Sequence, residues 1–226
     1  MANKTKVFFL KKYNFLIVFI FNKLKFTKIM AENMREPRHF FFGFIAKKLM
    51  DISNRKMIKS TVQRLSVDKT DTVLEIGPGN GQALDEIVKS DPKKIYAIEI
   101  SKVFRNVLEA KFKNKNIDII NIDAKNLSKI IKIGSIDKLL LINVIYFLDP
   151  LEIYLEEFKK ILHQDGMILI AGRYSMIQNF NKKVFKNSEI DYLIEMLGRY
   201  FVVECDIINS ETQKSKYHLI KLKKSR

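Results

Sequence analysis

The sequence predicts a doubly wound α/β fold: a seven-stranded, mostly parallel sheet closed by a C-terminal antiparallel hairpin. Three observations predict it. Short apolar runs alternate with helical patterns from residue 72 to about residue 200, an alternation that builds a parallel sheet covered on both faces. The last two runs, Phe201–Ile208 and Lys216–Lys223, are joined by the polar "NSETQKS" with no helical pattern between them, so they pair antiparallel. The chain has 226 residues, 47% of them hydrophobic, which is enough for one such domain with a full core and short for two.

From Arg38 to Leu65 the pattern is helical. Phe42, Ile45, Leu49 and Ile52 form one apolar stripe, and Met57, Ile58, Val62 and Leu65 form another after a break at "SNR". Asp68–Thr72 reads as a polar turn. The first strand is Thr72–Ile76, and the helix after it starts near Gly81 and carries Leu84, Ile87 and Val88. The second strand is Lys94–Ile100, after which Ser101 caps a helix bearing Val103, Phe104, Val107, Leu108 and Phe112. The third strand is Ile117–Ile122, followed by a short helix around Leu127–Ile131, and the fourth is Ile136–Val144.

Asp149-Pro150 opens the next helix, with Asp149 as N-cap, Pro150 at the first position and Glu152 at capping-box spacing. Its buried face is Leu151, Tyr154, Leu155, Phe158 and Leu162. "HQDG" turns the chain into a fifth strand, Met167–Ala171. A loop and a helix over Ser188–Leu197 lead to the final hairpin. No internal repeat is present.

Charge is distributed unevenly. Of the net +16, seven lysines fall in residues 1–30 and six basic groups in residues 214–226, with no acid in either stretch. The middle is close to balanced, which weakens a nucleic-acid reading of the total. In "VFFLKKYNFLIVFIFNKLKF" the longest apolar run, Phe15–Phe21, is seven residues, against about twenty for a bilayer span. Residues 1–29 therefore read as a dispensable basic and apolar extension, with weak membrane-surface association through lysines and phenylalanines as the other reading. Residues 30–68 read as N-terminal helices on the substrate side, and 69–226 as the ligand-binding core. Cys205 is the sole cysteine, and His39, His163 and His218 show no ligand spacing, so no disulfide and no metal are expected. A reducing, cytoplasmic location fits.

The stretch built around a ligand is "VLEIGPGNGQ", Val73–Gln82. A triphosphate loop needs a lysine after its last glycine, and none is near. A dinucleotide loop needs G-x-G-x-x-G; Gly77 and Gly79 fit, but Gln82 stands at the third position and the extra glycine is Gly81. Glu75, two residues ahead of the first glycine, changes the chemistry on offer. Backbone N–H groups at a helix start hold a carboxylate, and Glu75 is placed to hold an ammonium. That pair suits a zwitterionic amino-acid tail better than a pyrophosphate. "YAIEIS" ends the second strand with Glu99, positioned to accept ribose hydroxyls. "NIDA" ends the third with Asp123, positioned to accept from an adenine amino group.

From about Arg35 onward the chain resembles the class I S-adenosylmethionine-dependent methyltransferases, most of all the small-molecule group that includes the quinone-biosynthesis enzymes. The resemblance is carried by "VLEIGPGNG", "AIEIS", "IINIDAKNL", "IDKLLLINVIYFLDP" and "LEEFKKILHQDGMILI". It implies the Rossmann-like methyltransferase fold and S-adenosylmethionine as cofactor. It further implies that Glu75, Gly77, Gly79 and Gly81 form the methionine-end turn, and that Glu99 binds the ribose with Ile100 packed on the adenine. Asp123 and Ala124 would meet the adenine edge, and Asn143 would face the methyl-transfer site. The family's P-G-G before strand five is Q-D-G here, which alters a turn.

The acceptor implied is a small or lipid-like molecule, with Asn143 and Tyr146 as substrate-side candidates and no catalytic base assigned. Its pocket is expected from "REPRHFFFGF" and the loop Tyr174–Asn187. The same motifs also resemble the ribosomal-RNA adenine dimethylases, whose N-L-P-Y is echoed by "NVIY" at Asn143–Tyr146. There, asparagine and proline carbonyls grip the target amine and the aromatic stacks on a flipped base. Ile145 replaces the proline, and that family's helical C-terminal domain has no counterpart here. A third reading is a non-catalytic module that binds the cofactor alone.

Overall fold

The computed structural model describes residues 24, 26–36, 54–209 and 216–225. Helix α1 is Lys28–Arg35, and a second helix, α2, covers residues 54–65. The elements that follow are β1 (Thr72–Ile76), α3 (Gln82–Ile87), β2 (Lys94–Ile98), α4 (Lys102–Phe112), β3 (Ile117–Ile120) and β4 (Ile136–Ile142). After them come α5 (Leu151–Ile161), β5 (Leu162–Gly172), α6 (Tyr174–Ile177), α7 (Ile190–Gly198), β6 (Val202–Asn209) and β7 (Lys216–Lys223). The seven strands form one sheet in the order β3-β2-β1-β4-β5-β7-β6.

The sheet takes this form because β1, β4 and β5 are apolar on both faces, so each needs helices above and below. One face buries Leu74, Leu139, Leu141 and Ile168 against α5 and α7, through Leu155, Phe158, Leu193 and Leu197. The other buries Val73, Leu140 and Leu169 against Leu65, Leu84 and Leu108 from α2, α3 and α4. The β1–β2, β1–β4, β2–β3 and β4–β5 pairs are parallel, while β7 runs antiparallel to both β5 and β6. The doubly wound sheet with its reversed hairpin is the architecture expected from the alternation. Successive strands run one way from β1 and the other way from β4, so the switch point lies between these two neighbours. Ligands of open α/β sheets bind at the carboxyl ends of strands at that point.

Several local expectations are corrected. Asp149 does not cap α5: Pro150 is the N-cap, in extended conformation with no side-chain cap bond, and the helix starts at Leu151. The Asp149 carboxylate instead pairs with Lys186 at 3.5 Å. "HQDG" is not a turn ahead of the fifth strand but an irregularity inside it, since Leu162 already pairs with Ile136 and Met167 with Lys138. Gly166 permits this, because a Cβ there would stand 2.9 Å from the Ile136 carbonyl oxygen. Strands β2, β3 and β4 end two residues earlier than expected, where the chain leaves the sheet for the site loops. The break expected at "SNR" does not interrupt Asn54 or Arg55, which are helical.

At the N-terminal side, Thr27 caps α1 by accepting from the Met30 N–H at 3.3 Å, and Met30 and Ala31 are fully buried. The expected boundary between residues 29 and 30 therefore falls inside a packed helix. Phe26 also meets Phe180 edge-on, with ring centroids 6.2 Å apart. Of the N-terminal expectations, "FFFGF" and residues 1–23 lie outside the described residues. No described helix is long and apolar enough to cross a membrane.

Candidate functional site

Two adjoining cavities of about 470 and 720 Å³ lie over the carboxyl ends of β1, β2 and β4, and both are lined by Gly77, Gly79 and Phe104. The first holds Glu75, Asn54 and Asn143; the second holds Glu99, Ile100, Asp123 and Ala124. The glycine turn is the ridge between them. Gly81, expected as part of this turn, N-caps α3 from its floor.

The three glycines serve different needs. Gly77 has φ +65°, and a Cβ there would stand 2.6 Å from Val144 Cγ2, so the turn must pass hard against the loop after β4. Gly79 has φ +56° but meets nothing within 4 Å. The space beside it is open cavity, and a side chain there would occupy it. Gly81 abuts the core, where a Cβ would touch Phe112 and Leu108.

At one end of the site, the Glu75 carboxylate is buried and its Oε2 has no hydrogen-bond partner among the described residues. Burial, reinforced by Glu99 and Asp85, pushes its pKa up to about 8. A buried carboxylate oxygen without a partner is costly, and a cation arriving in the cavity would supply one. At the other end, Glu99 accepts from Gly79 N–H at 3.1 Å through Oε2 and from Ser101 N–H at 2.8 Å through Oε1. Its pKa is raised by burial, which outweighs those two bonds. Each oxygen keeps a lone pair for a further donor, the arrangement that two vicinal hydroxyls require. Arg105 fixes this strand end by donating to the carbonyls of Glu99 and Ile100.

Asp123 N-caps the short 3₁₀ helix Ala124–Lys129 through the Lys125 N–H, at 3.2 Å. Ile100 is 40% exposed, a large apolar side chain at the mouth of the second cavity. On the far side, Asn143 has φ +56°, donates its N–H to Ala171 at 2.9 Å and accepts through Oδ1 from the Tyr146 hydroxyl at 2.6 Å. Tyr146 itself is only 2% exposed. Of the two substrate-side candidates, Asn143 reaches the first cavity and Tyr146 stands behind it.

The loop expected to build the acceptor pocket, residues 174–187, lines neither cavity. Its rings are core: Tyr174 and Phe185 pack on Tyr146, with centroids 5.4 and 5.7 Å away. Sequence reasoning also missed Asn54 and Ile58 from α2, Met34 and Arg35 from α1, and Tyr154 from α5, all of which line the cavities. Asn54 lies in the polar "SNR" that reads as a break between two apolar stripes, so nothing local marks it. The others are brought in by tertiary packing.

Comparison with known proteins places these features. A family profile described as "Methyltransferase domain" matches residues 74–170, from β1 to the body of β5. The ribosomal RNA small subunit methyltransferase A of Persephonella marina is 28% identical over 165 residues, covering 66% of this chain and 60% of that protein. The probable ribosomal RNA small subunit methyltransferase A of Pyrococcus furiosus is 40% identical over 70 residues, 31% of this chain and 25% of that protein. This chain thus spans less than two thirds of these curated relatives. Among solved structures, the N-methyltransferase NodS of Bradyrhizobium japonicum, in complex with S-adenosyl-L-homocysteine, aligns with TM-score 0.65 at 13% identity. That alignment covers 89% of this chain and all of NodS. A putative methyltransferase of Haloferax volcanii, in complex with the activator Trm112, aligns with TM-score 0.65 at 16% identity, over 80% of this chain and 93% of that one.

Proposed function

Residues 74–170 form a class I S-adenosylmethionine-dependent methyltransferase domain, and from that premise we propose that the chain methylates a small-molecule acceptor. The residues present fit the cofactor. Glu75 offers an enclosed, unpartnered carboxylate oxygen for the ammonium, the space beside Gly79 is open for the amino-acid tail, and Glu99 offers its remaining lone pairs to the ribose. Asp123, Ala124 and Ile100 would surround the adenine. Bound there, the cofactor supplies an electrophilic methyl group on a sulfonium. The chain's own contribution is then to align an acceptor near Asn143, and alignment alone carries much of such a barrier.

The observation that carries the small-molecule reading is the burial of Tyr146. An aromatic that stacks on a flipped base must face the cavity, whereas this one is packed among Tyr174, Phe147 and Phe185 and bonded to Asn143. Ile145, at the proline position of the N-L-P-Y comparison, is also fully buried. The second reading, methylation of an RNA adenine, is favoured by the names of the curated relatives. The two separate in one assay, in which the full chain and methyl-labelled S-adenosylmethionine are incubated with a metabolite extract or with total RNA. Label in extractable small molecules is the expected result. Stoichiometric label in one RNA species, lost in Asn143→Ala, would replace it with the RNA reading. Calorimetry with S-adenosylhomocysteine tests the cofactor assignment, and Glu99→Ala should weaken binding by about 1.5–3 kcal/mol, the range for a hydrogen bond to a charged group.

A further inference from the structure

The side of the first cavity facing Asn143 has a chemical polarity of its own. The Tyr146 hydroxyl lies 2.6 Å from Asn143 Oδ1. Distance alone leaves two arrangements, because a tyrosine oxygen can donate to an amide oxygen or accept from an amide nitrogen. The Tyr146 hydroxyl donates no other hydrogen bond among the described residues, and a buried hydroxyl hydrogen without an acceptor is costly. The hydroxyl hydrogen therefore goes to Asn143 Oδ1. Burial also holds the Tyr146 hydroxyl well above its ordinary pKa, so the hydrogen stays on the oxygen. Two further observations lock the arrangement. A Cβ on Gly172 would stand 2.6 Å from the Tyr146 oxygen, so the ring is wedged against the end of β5. The Asn143 backbone, at φ +56° and bonded to Ala171, fixes the root of the carboxamide.

Asn143 Nδ2 is then the free arm. It has no protein partner among the described residues, and Asn143 lines the cavity that also holds Glu75. We propose that Asn143 presents an N–H donor to the acceptor substrate, so that the group seated beside it is an oxygen with a lone pair to offer (a carbonyl, carboxylate or hydroxyl oxygen) and not an amino group. Tyr146 is the positioning residue that sets this preference. An amino group needs a carbonyl oxygen at that place, and here the carbonyl oxygen is turned inward to the Tyr146 hydroxyl. The inference deepens the small-molecule reading and rests on it for the identity of the site, while the amide orientation stands on the protein's own hydrogen bonds.

Nuclear magnetic resonance of the ¹⁵N-labelled full chain tests it in two steps. Without any ligand, both Asn143 side-chain amide hydrogens should exchange with water at similar rates. One strongly protected hydrogen that becomes labile in Tyr146→Phe would show the opposite orientation and overturn the inference. With saturating S-adenosylhomocysteine, phenol and aniline serve as matched rings. Phenol should shift the Asn143 amide signals and bind at least about fivefold tighter than aniline, and Asn143→Asp, which replaces the donor by an acceptor, should reverse that order. Aniline binding as well as phenol in the unmodified chain would also overturn it. Failure of S-adenosylhomocysteine to bind would strike the cofactor assignment instead, and the amide exchange would still decide the orientation.

Discussion

Glu75 and Gly79 carry the sharpest consequences at the level of single residues. Because Glu75 has a folded-state pKa raised from the ordinary carboxylate value to about 8, it favours the folded, ligand-free chain while protonated. That contribution is complete below the ordinary carboxylate range and is lost as pH rises through about 8. Melting curves of the ligand-free protein should therefore show a fall in stability on the alkaline side that Glu75→Gln removes. With Glu75 holding the cofactor ammonium as proposed, binding should expel a proton near pH 7, since an ammonium ligand favours the ionised carboxylate. Calorimetry in buffers of different ionisation enthalpy should detect that proton in the natural chain and not in Glu75→Gln. Gly79→Val should fold with a loss of about 1–3 kcal/mol from strain at positive φ and bind no S-adenosylhomocysteine. Gly77→Ala should fail differently, because its Cβ meets Val144 at 2.6 Å and the turn itself must shift. A Gly77→Ala protein as stable as the parent would refute this division of labour. Their place at the cavities was legible in the sequence because it is set locally, by a strand end and a turn a few residues long. Asn54, Arg35 and Tyr154 were not, because α2, α1 and α5 carry them to the site from distant parts of the chain.

Individual elements separate into those whose signals are local and those decided by contacts far along the chain. Ser101 caps α4 as its position predicts, accepting from Phe104 N–H, because an N-cap needs only its own first turn. Asp149 failed as a cap even though its spacing is right. The chain reaches α5 through an extended Pro150, and Asp149 is drawn aside to Lys186. Asn187 shows the same dependence on distant partners. Its buried side-chain amide donates to the carbonyls of Ile145 and Leu148, at 3.0 and 2.6 Å, and its N–H donates to the carbonyl of Tyr146. It staples the loop after β4 to a segment some forty residues later. Asn187→Ala takes the side-chain donor from the Leu148 carbonyl and one of two donors from that of Ile145, which also accepts from Leu148 N–H, and should cost about 1–3 kcal/mol in urea unfolding. It should also weaken cofactor affinity, since the stapled loop carries Val144 against Gly77. At α1, a chain beginning at Met30 loses the Thr27 cap, worth about 1 kcal/mol, together with the Phe26–Phe180 contact. We expect it to melt below a chain beginning at Leu24, and equal melting temperatures would show that α1 needs neither.

For the molecule as a whole, the fold was read correctly because alternation and an uninterrupted final pair of strands constrain topology strongly. What the alternation leaves open is the placing of the last strand. In chain order β6 precedes β7, yet in the sheet β7 lies between β5 and β6, paired along its length with both. Strand β6 is exposed along most of its length, and its pairing partner in the sheet is β7. During synthesis, then, β6 leaves the ribosome before the surface it will dock on exists. Until residues 216–223 emerge, the edge of β5 stays open, with its row of unpaired backbone groups and its apolar residues Ile168, Leu169 and Ile170. Such an edge is a template for pairing with other chains. A nascent chain stopped after residue 209 should therefore aggregate where the longer chain does not, and adding back a peptide of the β7 sequence should suppress the aggregation. Completion of this sheet waits on its latest-made strand, so the interval before that strand appears is when the protein most needs a chaperone.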